Sequence, residues 1–104
     1  MYFNKKTELY LNEKWLKANE AKASYYDQTL HYGNGVFEGI RAYNTINGTK
    51  IFKAKEHFER LLLSAKKMHI KVEYSVDQHI DISYQLLERN NLSDAYIRPL
   101  LMLS

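Results

Sequence analysis

The chain has 104 residues, 45% of them hydrophobic and 26% charged, with a single proline; this excludes a polar disordered tract and allows one buried core. Fifteen basic residues are interleaved with twelve acidic ones for a net charge of +3, so no nucleic-acid face is expected, Lys66-Lys67 being the nearest approach to a basic cluster. The absence of cysteine removes disulfides, thiolate catalysis and cysteine-ligated zinc, and His31, His57, His69 and His79 lie too far apart for a metal-ligand pattern.

MYFNKKTELY, the N-terminal stretch, has no signal-peptide core, and no apolar run reaches the roughly eighteen residues of a membrane span. A cytoplasmic protein without a membrane segment is expected. Residues 1–104 read as one domain. Their apolar finish, RPLLMLS, reads as the front part of a longer protein, because a free hydrophobic strand end exposes apolar surface and unpaired backbone groups.

Glu8 to Leu11 and Lys14 to Lys17 read as two short strands about a tight Asn12-Glu13 turn. Asp27 to Gly33 is expected to be an irregular or short helical turn, since the glycines at 33 and 35 discourage continuation of either regular structure. Val36 to Asn44 then alternates as a strand. Asn47-Gly48, two residues that accept positive φ, predicts a hairpin joining it to Thr49 to Lys53. From about Lys55 to His69 the period becomes helical, with Phe58, Leu61, Leu62, Ala65 and Met68 on one stripe.

Ile70 to Tyr74 reads as extended, and Ser75 with Gln78 forms a capping box that opens a second helix to about Arg89. Ile80, Ser83, Tyr84 and Leu87 line the inner face of that helix, and Asn90-Asn91 supplies its stop. Asp94 to Leu103 is the last predicted strand. Five strands and two helices without regular alternation predict an α+β domain, a mostly antiparallel sheet with two helices packed on it.

Strand parity sorts the side chains that could carry chemistry. Val36, Glu38, Ile40 and Ala42 share one face, and Phe37, Gly39, Arg41 and Tyr43 the other. In the last strand Tyr96 and Arg98 share a face against Ala95, Ile97, Pro99 and Leu101. An arginine within an apolar strand needs an anion. Two readings stay open: a pocket for a small carboxylate with an apolar tail, in which Gly39 gives clearance beside Phe37, or internal pairing of the arginines with Glu38 or Asp94. On the first helix, spacing favours a surface pair between Glu56 and Arg60 over an inward Arg60 that would suit phosphate.

LHYGNGVFEGIRAY at 30–43, HFERLLLSAKKM at 57–68 and NNLSDAYIRPLL at 90–101 together resemble the N-terminal small domain of a branched-chain amino-acid aminotransferase, a class IV, fold-type IV enzyme dependent on pyridoxal 5'-phosphate. The resemblance implies transfer of the amino group between leucine, isoleucine or valine and 2-oxoglutarate. It implies that Arg60 binds the cofactor phosphate, that Phe37, Gly39, Arg41, Tyr96 and Arg98 line the substrate pocket, and that Tyr32 reaches the pocket of the other subunit of a homodimer. It places the Schiff-base lysine in a larger domain beyond residue 104, so residues 1–104 contain no catalytic residue. Alone they are expected to be inactive and not to retain the cofactor. Other class IV activities, such as D-amino-acid transamination, and a non-catalytic binding or assembly module are the alternatives.

Overall fold

The computed structural model describes residues 6–11, 14–17 and 35–102. Strands β1 (Glu8–Leu11) and β2 (Lys14–Lys17) pair antiparallel. They are followed by β3 (Gly35–Phe37), β4 (Ile40–Thr45), β5 (Gly48–Ile51), helix α1 (Ala54–Lys67), helix α2 (Val76–Arg89), β6 (Ala95–Ile97) and β7 (Leu100–Met102). Every strand pairing among these residues is antiparallel, and the two helices complete the expected α+β class.

The predicted strands Val36 to Asn44 and Asp94 to Leu103 are each interrupted, giving seven strands among the described residues where five were expected. Phe37 pairs with Leu100 and Ile40 with Ile97, so Glu38-Gly39 lies opposite Arg98-Pro99 with equal numbers of residues on both sides. This is a gap in one ladder, without a bulge or a change of register. Glu38 N donates to Pro99 O at 3.3 Å, but proline has no N–H with which to return the bond. Equal counts also preserve the alternation of faces: Glu38, Ile40 and Ala42 are buried while Phe37, Arg41 and Tyr43 are exposed.

The buried face of this ladder packs under the helices. Ile40, Ala42, Ile51 and Ile97 from the sheet meet Phe58 and Leu61 from α1 and Leu87 from α2 in one apolar cluster. Helix α1 ends at Lys67, short of the expected His69, because His69 takes a left-handed φ of 60°, outside the helical region. Ile70 to Tyr74 forms no strand, and β5 ends at Ile51, before Lys53.

At the predicted hairpin, Gly48 alone takes positive φ, at 96°, while Thr45 Oγ1 accepts from Asn47 N at 3.1 Å and donates to Gly48 O at 2.6 Å. The Ser75–Gln78 capping box forms in both directions, and Asn91 stops α2 with φ 54°. Just before that stop, Asn90 pins the first hairpin: its Oδ1 accepts from Glu8 N at 2.7 Å and its Nδ2 donates to Glu8 O at 2.8 Å. The Arg89 guanidinium lies 4.1 Å from the centre of the Trp15 ring. Among the described residues no helix is long and apolar enough to cross a membrane.

Candidate functional site

The interrupted ladder displays Phe37, Gly39 and Arg41 on the same exposed face as Tyr96 and Arg98, as strand parity requires. The Arg98 guanidinium lies 4.7 Å from the Phe37 ring centre and 5.4 Å from that of Tyr96, and its Nη2 donates to the Tyr96 hydroxyl at 2.9 Å. Arg41 lies 5.9 Å from the same Tyr96 ring. Two guanidinium groups thus flank one phenol, and among the described residues neither has a carboxylate partner.

Gly39 is where the Tyr96 side chain rests. A Cβ built on Gly39 would collide with the Tyr96 hydroxyl and lie 2.8 Å from its Cζ, a separation that real side chains do not tolerate. Residue order left a pocket for a substrate carboxylate as one of two readings of that clearance, and the family resemblance implied it. The space is taken by the phenol of the opposite strand, so the bare backbone of Gly39 is what admits the Tyr96 ring there.

On the buried face, Glu38 is 9% exposed and meets α1. Its Oε2 accepts from Arg60 Nε at 2.9 Å and its Oε1 from Arg60 Nη2 at 2.7 Å, the two-point fork that a guanidinium offers a carboxylate. His57, one helical turn before Arg60, places Nδ1 2.8 Å from Oε1. The Arg60 bonds outweigh burial and, with His57, hold the Glu38 carboxyl down at about 2, against an ordinary 4.5. Glu38 is therefore a carboxylate at neutral pH and only accepts, so His57 Nδ1 carries the proton. The 3.4 Å approach of Arg60 Nη2 to that nitrogen sets donor against donor and is not a bond.

Glu38 takes the Nε and Nη2 edge of Arg60, which among the described residues leaves Nη1 uncommitted on a side chain that is 65% exposed. Glu38 in turn raises the guanidinium's affinity for its proton. A fixed, permanently charged group with unused N–H donors can bind a phosphate. The donor set fits the phosphate end of the implied cofactor.

The surface pair Glu56–Arg60 favoured by spacing does not form, because Glu38 claims the guanidinium. The internal pairing of Arg41 and Arg98 with Glu38 or Asp94 does not form either. Glu38 is occupied from the other face, and Asp94 Oδ1 accepts from Asn44 N at 2.8 Å. Phe37, Gly39, Arg41, Tyr96 and Arg98 come together, while Arg60 stands with His57 and Glu38 on the buried side. Tyr32 and His31 lie outside the described residues. The roles of Glu38 and His57 were missed, although a carboxylate alternating with Val36, Ile40 and Ala42 was already a signal that a partner must cover it.

Comparison with known proteins adds a family to this geometry. The profile described as amino-transferase class IV matches residues 35–103. The branched-chain-amino-acid aminotransferase of Salmonella typhimurium is 38% identical over 92 residues, covering 88% of this chain and 30% of that protein. The solved structure of the branched-chain amino acid aminotransferase from Escherichia coli superposes with a TM-score of 0.89 at 37% identity, over 94% of this chain and 33% of that one. The branched-chain amino acid aminotransferase of T.th., solved in complex with N-(5'-phosphopyridoxyl)-L-glutamate, gives 0.86 at 38% identity, over 92% and 32%. The chain therefore spans about a third of the length of the relatives it matches.

Proposed function

Because the chain belongs to the class IV aminotransferase family, we propose that it is the N-terminal domain of a branched-chain amino-acid aminotransferase that exchanges the amino group between leucine, isoleucine or valine and 2-oxoglutarate. The observation that carries this reading is the flanking of Tyr96 by Arg41 and Arg98, two cations without a carboxylate among the described residues, beside the apolar wall of Phe37. An enzyme that accepts both an aliphatic side chain and the distal carboxylate of glutamate needs apolar walls with a cation set among them.

Pyridoxal 5'-phosphate, when bound, supplies the electron sink for this chemistry. Arg60 binds its phosphate through Nη1. Phe37 packs against aliphatic substrates. Arg98, stacked on Phe37 and bonded to the Tyr96 hydroxyl, presents a guanidinium of fixed orientation to a carboxylate, and Arg41 adds a second positive charge. Gly39 lets Tyr96 take up that position. Tyr32 contributes to the pocket of a partner subunit in a cytoplasmic homodimer. The lysine that anchors the cofactor lies in a larger second domain of the intact protein.

A panel of amino donors offered to the intact protein with 2-oxoglutarate tests the substrate. Turnover of L-leucine, L-isoleucine and L-valine above D-alanine is expected. Preference for D-alanine would move the protein to another class IV activity, and no turnover with any donor would leave a binding or assembly module.

A further inference from the structure

The fork between Glu38 and Arg60 joins the strand bearing the aromatic and cationic cluster to the helix bearing the phosphate-binding arginine. Arg60 is 65% exposed, and an exposed arginine is ordinarily free to sample many rotamers. Here two bonds, of 2.9 and 2.7 Å, hold the plane of its guanidinium to a carboxylate that is itself buried. That carboxylate is restrained twice more, by His57 Nδ1 at 2.8 Å and by the bond from its own backbone N to Pro99 O at 3.3 Å.

The proline gap lies at the same place. Glu38 and Pro99 face each other between the two halves of the ladder, so the buried carboxylate projects toward α1 from the point where the sheet pairing is broken. Its low pKa of about 2 agrees with a charge kept for use inside the fold.

We infer that Glu38 is a positioning residue for the cofactor phosphate: it fixes the Nε–Nη2 edge of Arg60 so that Nη1 points outward to the phosphate oxygens, with His57 Nδ1 holding the carboxylate in place. The inference rests on the proposed role of Arg60 and adds a specific partner to it. A carboxylate near a phosphate site is unfavourable by charge alone. Its effect here is on orientation, because the edge of the guanidinium it occupies is the edge the phosphate does not need.

The test compares dissociation constants of pyridoxal 5'-phosphate and unphosphorylated pyridoxal, measured by absorbance titration of the intact protein freed of cofactor, so that preference for the phosphorylated form is read separately from folding and turnover. Arg60→Ala should collapse that preference. Glu38→Gln keeps the size of the side chain but removes the charge and one acceptor; it should lower the preference about tenfold or more, the scale on which the loss of an orienting partner weakens a held ligand. Glu38→Gln in the Arg60→Ala background should then add nothing.

An unchanged preference in Arg60→Ala would overturn the phosphate role of Arg60 itself. A collapse in Arg60→Ala with no change in Glu38→Gln would overturn the positioning role alone. Should Glu38→Gln fail to fold, Arg60→Lys decides the matter: a lysine keeps the charge without the fork, so its preference should fall as well, and retention of the native preference would overturn the inference.

Discussion

The phenol of Tyr96 occupies the space that a side chain at Gly39 would fill, and from there its hydroxyl accepts a bond from Arg98 Nη2 at 2.9 Å. Position 39 therefore controls the cation at position 98 through a ring on the opposite strand. Gly39→Ala should push the half-exposed Tyr96 outward and release Arg98. Because the displaced ring enters open surface, stability should change by less than about 1 kcal/mol. On the proposed function, misplacement of the guanidinium should raise KM for glutamate about tenfold or more. Thermal melts beside steady-state kinetics check this, and an unaltered KM would count against the arrangement.

Acid should expose the Glu38 fork in a defined window. The folded carboxyl is held at about 2 against an ordinary 4.5, so the folded state binds its proton less readily than the unfolded state does. The corresponding stability is fully present above pH 4.5 and is lost as the pH falls toward 2. Glu38→Gln has no such titration. Denaturant unfolding should place the variant below the native protein by about 1.5–3 kcal/mol at pH 7, the range for bonds to charged groups, with the two converging between pH 4.5 and 2. A constant difference across that window would show that the charge of Glu38 contributes nothing to stability.

Much of this was legible from residue order alone. Ser75 and Gln78 cap α2 as their spacing requires, Asn91 ends it in the left-handed conformation, and parity assigns faces correctly on both sides of the gap. The break itself was harder to see. Pro99 announces a missing donor, but which residue loses its partner depends on the register between strands far apart in the chain, and that register brings it opposite Glu38. Arg60 shows the same limit. Local spacing offered it Glu56, and only tertiary packing brings up the buried carboxylate of Glu38, whose charge demands the bond more strongly than an exposed one does. Gly39 looked like room for a ligand because a sequence does not reveal which neighbour will fill a vacancy.

Asn90 ties the end of α2 to the backbone of Glu8 on both its N–H and its C=O, and also donates to Leu86 O at 2.9 Å. Asn90→Ala would leave these part-buried backbone groups without their partner, at a cost of about 1–3 kcal/mol. Asn90→Asp retains the acceptor for Glu8 N but loses both donors, so it should fall between the native protein and the alanine variant. Chemical denaturation orders the three proteins. Equal stability of all three would mean that the first hairpin is held by other contacts, such as Arg89 on Trp15.

Pro99→Ala probes the gap directly. Alanine restores an N–H opposite the Glu38 carbonyl, and the unbroken register on either side already aligns the two strands for that bond. The new bond should contribute about 0.5–1.5 kcal/mol, while the more flexible unfolded chain should offset it by about 0.4–1 kcal/mol. Net stability should therefore hardly move. The informative measurement is hydrogen exchange: the amide at position 99 should be protected if the ladder closes across Glu38. Rapid exchange there would mean that the backbone at 38–39 is held apart for another reason, of which the Tyr96 ring lying on Gly39 is the nearest candidate.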